Sequence, residues 1–212
     1  MSAQVSREQR IGIFVDVQNL YHSARELYGA KVNFANLLKD AIRNRKLVRA
    51  LAYVIRAAIE EEKIFFEALK KFGYEVKAKD LQIFPGGAKK GDWDIGIAMD
   101  AIELAPKLDT IVLCSGDGDF VPLVEHLRRA LGCRIEVIAF GRSTSTKLKE
   151  CADEFIDLDQ NPSRYTRKLS KASASRFGRE QRVPKIAGKP KEKREEKERE
   201  RVWEEFYHPE LF

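Results

Sequence analysis

The sequence predicts an α/β fold in three layers, a mainly parallel sheet of about five strands with helices on both faces, followed by a charged C-terminal tail. Three observations carry that reading. Short apolar runs rich in β-branched residues alternate along the chain with longer segments whose apolar residues recur at helical spacing. Glycines stand where several helical segments end, at Gly29, Gly73 and Gly132. Two of the strand-like runs stop abruptly in carboxylates, which a parallel sheet would collect along one edge.

Residues 11–15 read as the first strand, with Asp16 and Asn19 directly after it, and residues 20–28 as a short helix stopped near Gly29. Asn33 can cap a helix reaching to about residue 45, because Phe34, Leu37, Leu38, Ala41 and Ile42 fall on one face. Residues 47–55 form the second strand, 59–72 an amphipathic helix closed at Gly73, and 74–84 the third strand. The stretch PGGAKKG at 85–91 is a locally basic loop. Over residues 92–104, Ile95, Ile97, Met99, Ala101, Ile102 and Leu104 fit a mostly buried helix, with Pro106 just beyond it. Residues 110–114 make the fourth strand, 120–131 a helix, 134–140 the fifth strand and 144–151 a last short helix. Residues 154–158 add a small edge strand.

The chain of 212 residues is 43% hydrophobic, enough for one ordinary core. Its charge is unevenly placed. Residues 1–160 hold 24 basic and 24 acidic residues, whereas residues 161–212 hold 15 and 9, so the tail carries all of the +6 excess. We therefore expect a domain over residues 8–160 and a basic, charged extension over 161–212, partly disordered or helical. Residues 161–185 carry eight basic residues against Glu180 alone, a footprint suited to a polyanion, and Arg164, Arg167, Lys168 and Lys171 open that run. The ending VWEEFYHPELF is more apolar than the rest of the tail and is expected to dock on the domain, on a second copy or on a partner protein. Cys114, Cys133 and Cys151 are odd in number and lack zinc-ligand spacing, which points to buried thiols in a reducing compartment. No stretch approaches the ~20 apolar residues of a membrane span, so a cytoplasmic location is expected.

The stretch TIVLCSGDGDF at 110–120 concentrates the chemistry: an apolar strand, then Ser115, Asp117 and Asp119 among glycines, then a helix. Gly116 and Gly118 let the backbone turn sharply there. Chains that begin βαβαβ usually run outward from the first strand and return beside it, which sets Asp16 and Asn19 next to Ser115, Asp117 and Asp119. Asp94, at the start of the preceding helix, completes the cluster; Asp92 beside it competes for the role, and Asp100 lies about two turns further along as a supporting candidate. Several carboxylates in one crevice repel one another unless a cation is present. Mg²⁺ or Mn²⁺ suits oxygen donors, keeps several waters and can orient water for attack on a phosphodiester. Lys89 and Lys90, just upstream, are placed to meet a nucleic-acid backbone, and Trp93 is either a packing aromatic or a base-stacking one.

Taken in order, FVDVQNL, KKGDWDIGIAMDA, DTIVLCSGDGDFVPLVEHLRRALG and GRSTSTKLKECADEFIDLD resemble the NYN domains of the LabA type, a branch of the PIN-like nucleases, over roughly residues 8–160. The resemblance implies a Rossmann-like, PIN-type sheet and a metal-dependent ribonuclease site. Asp16 matches the acid after the first strand and Asn19 the asparagine of its D-x-x-N; Asp94 matches the helix acid, and Ser115, Asp117 and Asp119 match S-G-D-G-D-F. Ser145 falls in a tS-x-x-L-like stretch whose role is left open.

Each residue also has a plainer reading. Asp16 and Asp119 can be helix caps, Asp117 and Ser115 turn residues, and Asp94 a complement to a helix dipole. The sequence therefore supports a ribonuclease hydrolysing RNA with Mg²⁺ or Mn²⁺, aided by its basic arm. Its alternative is a non-catalytic RNA-binding, regulatory module that recruits partners through the tail. A phosphatase fits less well, because Asp16-Val-Gln lacks the second acid of an Asp-x-Asp nucleophile motif.

Overall fold

In the computed structural model, residues 6–56, 60–83, 89–90 and 92–168 are described. The elements are β1 (Arg10–Asp16), α1 (Val17–Tyr28), β2 (Ala30–Val32), α2 (Phe34–Ile42), β3 (Lys46–Arg56), α3 (Glu60–Phe72), β4 (Glu75–Asp80), β5 (Gln82–Ile83), β6 (Lys89–Lys90), α4 (Asp94–Leu104), β7 (Thr110–Cys114), α5 (Val121–Arg129), β8 (Arg134–Ala139), α6 (Thr146–Cys151), β9 (Glu154–Asp157), α7 (Pro162–Tyr165) and β10 (Thr166–Lys168). Most of the expected basic loop at 85–91, Lys171 and the tail beyond Lys168 lie outside the described residues.

Six strands form the central sheet in the order β4-β3-β1-β7-β8-β9, every neighbour pair parallel. The chain runs outward from β1 through β3 to β4, then returns by α4 to set β7 on the other side of β1. The sheet has a sixth strand, β9, because Glu154–Asp157 pairs in register with residues 136–139 at the edge. β1 and β7 are the central strands, and residues 11–15 and all of β7 are buried, as a parallel strand covered on both faces requires.

Alternation along the strands divides the core. Ile13, Val15, Ala52, Val112 and Cys114 meet Leu20 of α1, Leu37 of α2 and Leu69 of α3 on one face. Phe14, Leu51, Tyr53, Ile111 and Leu113 meet Ile97 of α4 and Val124 of α5 on the other. One buried charge pair interrupts the first layer. Arg45, just after α2, donates to both carboxylate oxygens of Glu136 at 2.8 Å and also to the Ala41 carbonyl at 2.8 Å. Both side chains are wholly buried.

Several boundaries differ from expectation for identifiable reasons. α1 begins at Val17, because Asp16 itself caps it. The third expected strand divides into β4 and β5, and α2 stops at Ile42, where Arg43 and Asn44 take left-handed backbone (φ 48° and 60°). α4 is not mostly buried. Its inner residues Ile97, Ala101 and Leu104 pack, but Ile95, Met99 and Ile102 face outward.

The folded chain also continues past residue 160. Tyr165 and Arg164 are bonded to α2 through Asp40, at 2.9 Å from the tyrosine hydroxyl and 2.5 and 2.6 Å from the guanidinium. β10 pairs antiparallel with β2. Among the described residues no helix is long and apolar enough to cross a membrane.

Candidate active site

Val15 of β1 lies opposite Cys114 of β7, so Asp16 and Ser115 emerge side by side from the carboxyl ends of the two central strands, where the strand order reverses. Asp16 is fixed twice. Its Oδ1 accepts the Asn19 backbone N–H at 3.1 Å, capping α1, and its Oδ2 accepts the hydroxyl of the buried Ser115 at 3.2 Å. The Asn19 side chain reaches across to accept the Gly116 N–H at 2.8 Å. Ser115 Oγ in turn accepts the Asp117 N–H at 3.3 Å, and Asp117 Oδ1 accepts the Asp119 N–H at 3.0 Å. The cap of this turn is therefore Asp117, leaving Asp119 exposed.

The two glycines serve a purpose other than the expected one. Neither Gly116 nor Gly118 has a positive φ. A Cβ on Gly116 would instead stand 2.8 Å from Thr144 Oγ1, and one on Gly118 2.9 Å from Ser145 Oγ. The loop after β8 thus lies directly against the acidic turn, and the Ser145 N–H donates to the Gly116 carbonyl at 3.0 Å. Thr144 and Ser145 belong to the wall of the site. Their position follows from β8 neighbouring β7, so the strand order would have disclosed it.

The acids act on one another. Burial pushes the Asp16 carboxyl from its ordinary 3.8 up to about 6; the charges of Asp94 and Asp117 add to the rise, while the bonds from Asn19 and Ser115 oppose it. Burial also raises Asp94, followed by the charges of Asp117, Asp92 and Asp119. Asp16, Asp94, Asp117 and Asp119 thus share one field, and Asp92 contributes to it. Among the described residues, however, no three His, Cys, Asp or Glu side chains converge closely enough to hold a metal ion by themselves. The donors are hard oxygens in an open array. That arrangement fits an ion such as Mg²⁺, which keeps most of its waters and takes only one or two carboxylates besides a phosphate.

Asp100 does not join them. It accepts from Lys77 Nζ at 2.7 Å through both oxygens and from the Tyr53 hydroxyl at 2.7 Å, so its charge is already matched between α4 and the sheet. Trp93 is a packing residue: its Nε1 donates to the Val54 carbonyl at 2.7 Å and its ring lies 5.3 Å from that of Tyr53. Gly96 leaves room for that ring, since a Cβ there would come within 2.5 Å of it. Of the basic residues, Lys89 and Lys90 form the short strand β6 opposite β5. Arg164 is engaged by Asp40 rather than free in a basic arm. Arg167 is exposed on β10, opposite Lys31, and Lys168 pairs opposite Ala30.

Comparison with known proteins agrees with this geometry. The chain is 30% identical over 162 residues to the low amplitude and bright protein LabA of Synechococcus elongatus, covering 72% of this chain and 86% of that one. It is 32% identical over 127 residues to the uncharacterized protein MJ0482 of Methanocaldococcus jannaschii, covering 59% of this chain and 50% of the other. The crystal structure of a protein of unknown function, VPA0982 of Vibrio parahaemolyticus, superposes with a TM-score of 0.71 at 36% identity, covering 77% of this chain and 99% of that one. The NYN domain profile matches residues 10–159, the same span that builds the six-stranded sheet and its acidic crevice, and the chain belongs to the NYN domain family, within the PIN-like nuclease superfamily.

Proposed function

We propose that this protein is a metal-dependent ribonuclease that hydrolyses RNA phosphodiester bonds in the crevice lined by Asp16, Asp94, Asp117 and Asp119. The observation that supports it most is geometric: Asp16 and Ser115 stand side by side at the ends of the two central strands, where the strand order reverses, with Asp117 and Asp119 on the turn that follows. Burial first, and then the charges of neighbouring acids, raises both Asp16 and Asp94. Asp100, by contrast, has its charge matched by Lys77.

The residues divide the work. Asp16, held by Asn19 and Ser115, is a rigid oxygen donor. Asp117 and Asp119 come from one turn and Asp94 from the first turn of α4, so together they would hold Mg²⁺ or Mn²⁺. The bound ion supplies positive charge against the acids and the phosphate, and acidifies attacking water. Without it the crevice repels a polyanion. Lys89, Lys90, Arg167, Lys168 and Lys171 would hold the RNA backbone.

The test is cleavage of end-labelled single-stranded and structured RNA with Mn²⁺, Mg²⁺ or excess EDTA, beside Asp117→Asn. Metal-dependent cleavage lost in the variant is the expected result. The open spacing of the acids favours a second reading, an RNA-binding regulatory module without catalysis. RNA binding with no cleavage under either metal would select it.

A further inference from the structure

The hydroxyls along the acidic turn and the loop that walls it are committed, with one exception. Ser115 Oγ donates to Asp16 Oδ2 at 3.2 Å, Ser143 Oγ to Ser23 Oγ at 2.8 Å, and Thr144 Oγ1 to the Phe140 carbonyl at 2.7 Å. The hydroxyl of Ser145 has no hydrogen-bond partner among the described residues.

Its position makes this unusual. Ser145 is the N-cap of α6, and its carbonyl accepts the Lys149 N–H at 3.2 Å, yet its side chain makes no bond to the helix. A serine in that place ordinarily caps, which is worth about 1 kcal/mol. Here the side chain lies against the acidic turn instead: a Cβ on Gly118, between Asp117 and Asp119, would stand 2.9 Å from Ser145 Oγ and 3.2 Å from its Cβ. The backbone fixes that placement, since the Ser145 N–H donates to the Gly116 carbonyl at 3.0 Å. The residue is half-buried, so the hydroxyl is anchored on the wall of the crevice and still open to an incoming group.

A local rule broken in this way, at a site already rich in chemistry, points to a ligand. An ionised carboxylate only accepts hydrogen bonds, and so does a phosphodiester. Along this wall the free donor is the Ser145 hydroxyl, and being neutral it adds no charge that the acids would hold back from a phosphate. We propose that Ser145 Oγ donates a hydrogen bond to a non-bridging oxygen of an RNA phosphate seated over the acidic turn. The proposal rests on RNA entering the crevice, which the nuclease and the binding module of the preceding subsection share.

Ser145→Ala in the full-length chain tests it. The anisotropy of fluorescein-labelled single-stranded RNA is followed over a range of KCl with Ca²⁺, another oxygen-seeking ion, in place of Mg²⁺, so that binding is read without turnover. Loss of a hydrogen bond to a charged oxygen weakens binding about tenfold or more. The slope of log affinity against log salt stays as in the parent, because no cation leaves the interface. The melting temperature also stays, because the hydroxyl holds nothing within the folded protein. Ser143→Ala, whose hydroxyl is bonded to Ser23, is the control and keeps the parent's affinity. Equal affinity of Ser145→Ala and parent, a parent that does not bind RNA, or a loss of affinity accompanied by a lower melting temperature or a changed salt slope would each overturn the proposal. Cleavage with Mg²⁺ is a separate arm: RNA that is bound but not cut defeats the nuclease reading, while the affinity comparison still decides the role of Ser145.

Discussion

The Asn19 side chain accepts the backbone N–H of Gly116 at 2.8 Å, tying the first turn of α1 to the acidic turn after β7 across the seam where the strand order reverses. The bond holds Asp16 and Asp117 in a common frame. Asn19→Ala leaves a buried N–H without its partner, which costs about 1–3 kcal/mol of stability. Misplacing the acids by even about an ångström would lower cleavage on the order of a hundredfold. Thermal unfolding and single-turnover cleavage check the two effects separately.

Asp16 makes the crevice pH-sensitive. The unfolded chain releases this proton near 3.8 and the folded protein near 6, so the folded state binds it more tightly. The stability that this group contributes is complete below its unfolded value and is lost as pH rises through about 6, amounting to ~2–3 kcal/mol. Asp109, held at about 2 by Arg10, works in the opposite direction at lower pH, so the comparison must be with Asp16→Asn. The variant should match the parent near pH 4 and exceed it in urea midpoint at pH 7, while losing cleavage. A gap that stays constant from pH 4 to 7 would contradict this.

Metal should reverse that penalty. At pH 7, saturating Mg²⁺ or Mn²⁺ raises the melting temperature of the parent protein, because an ion that binds only the folded state stabilises it by mass action. Asp16→Asn and Asp117→Asn should each reduce the rise. Titration with EDTA present supplies the baseline.

The Arg45–Glu136 pair is a separate liability. Glu136→Gln leaves a buried guanidinium without its counter-charge and should destabilise by about 3–5 kcal/mol, whereas replacing both partners with apolar residues of similar volume should restore much of the loss. Urea denaturation of the single and double variants measures the difference.

At the other wall, Gly96→Ala would drive a methyl group into the Trp93 ring and weaken its bond to Val54. We expect a loss of roughly 1–3 kcal/mol. A shift in tryptophan emission would accompany it; an unchanged spectrum and midpoint would mean that the ring moves aside freely.

The central strands and their acids were legible because local pattern and long-range position coincide. The apolar runs of β1 and β7 are short, β-branched and bounded by turn residues, as buried parallel strands are, and the outward-and-back order of βα units then sets Asp16 beside Ser115. What stayed hidden depends on contacts between distant segments. Its place two turns along the helix already makes Asp100 a lesser candidate than Asp94, but that it is matched instead by Lys77 arriving from β4 cannot be read locally. The exposure of Met99 is equally invisible, because an apolar residue on a helix reads as core until the neighbouring layer is known. Thr144 and Ser145 act through close approach to glycines from another loop.

The pairing of β10 with β2 bears on the order in which the molecule is made. Residues 30–32 close the α1–α2 connection early in the chain, yet their antiparallel partners are residues 166–168, and Asn33 also waits for the Tyr165 carbonyl, 2.7 Å away. Closing so long a loop is entropically slow compared with forming the local βα units. During synthesis, then, the sheet from β1 to β9 can assemble while this end of the α1–α2 layer still lacks its fastening. β10 is what completes it, so a chain stalled before residue 166 would hold its acidic crevice and leave that fastening undone.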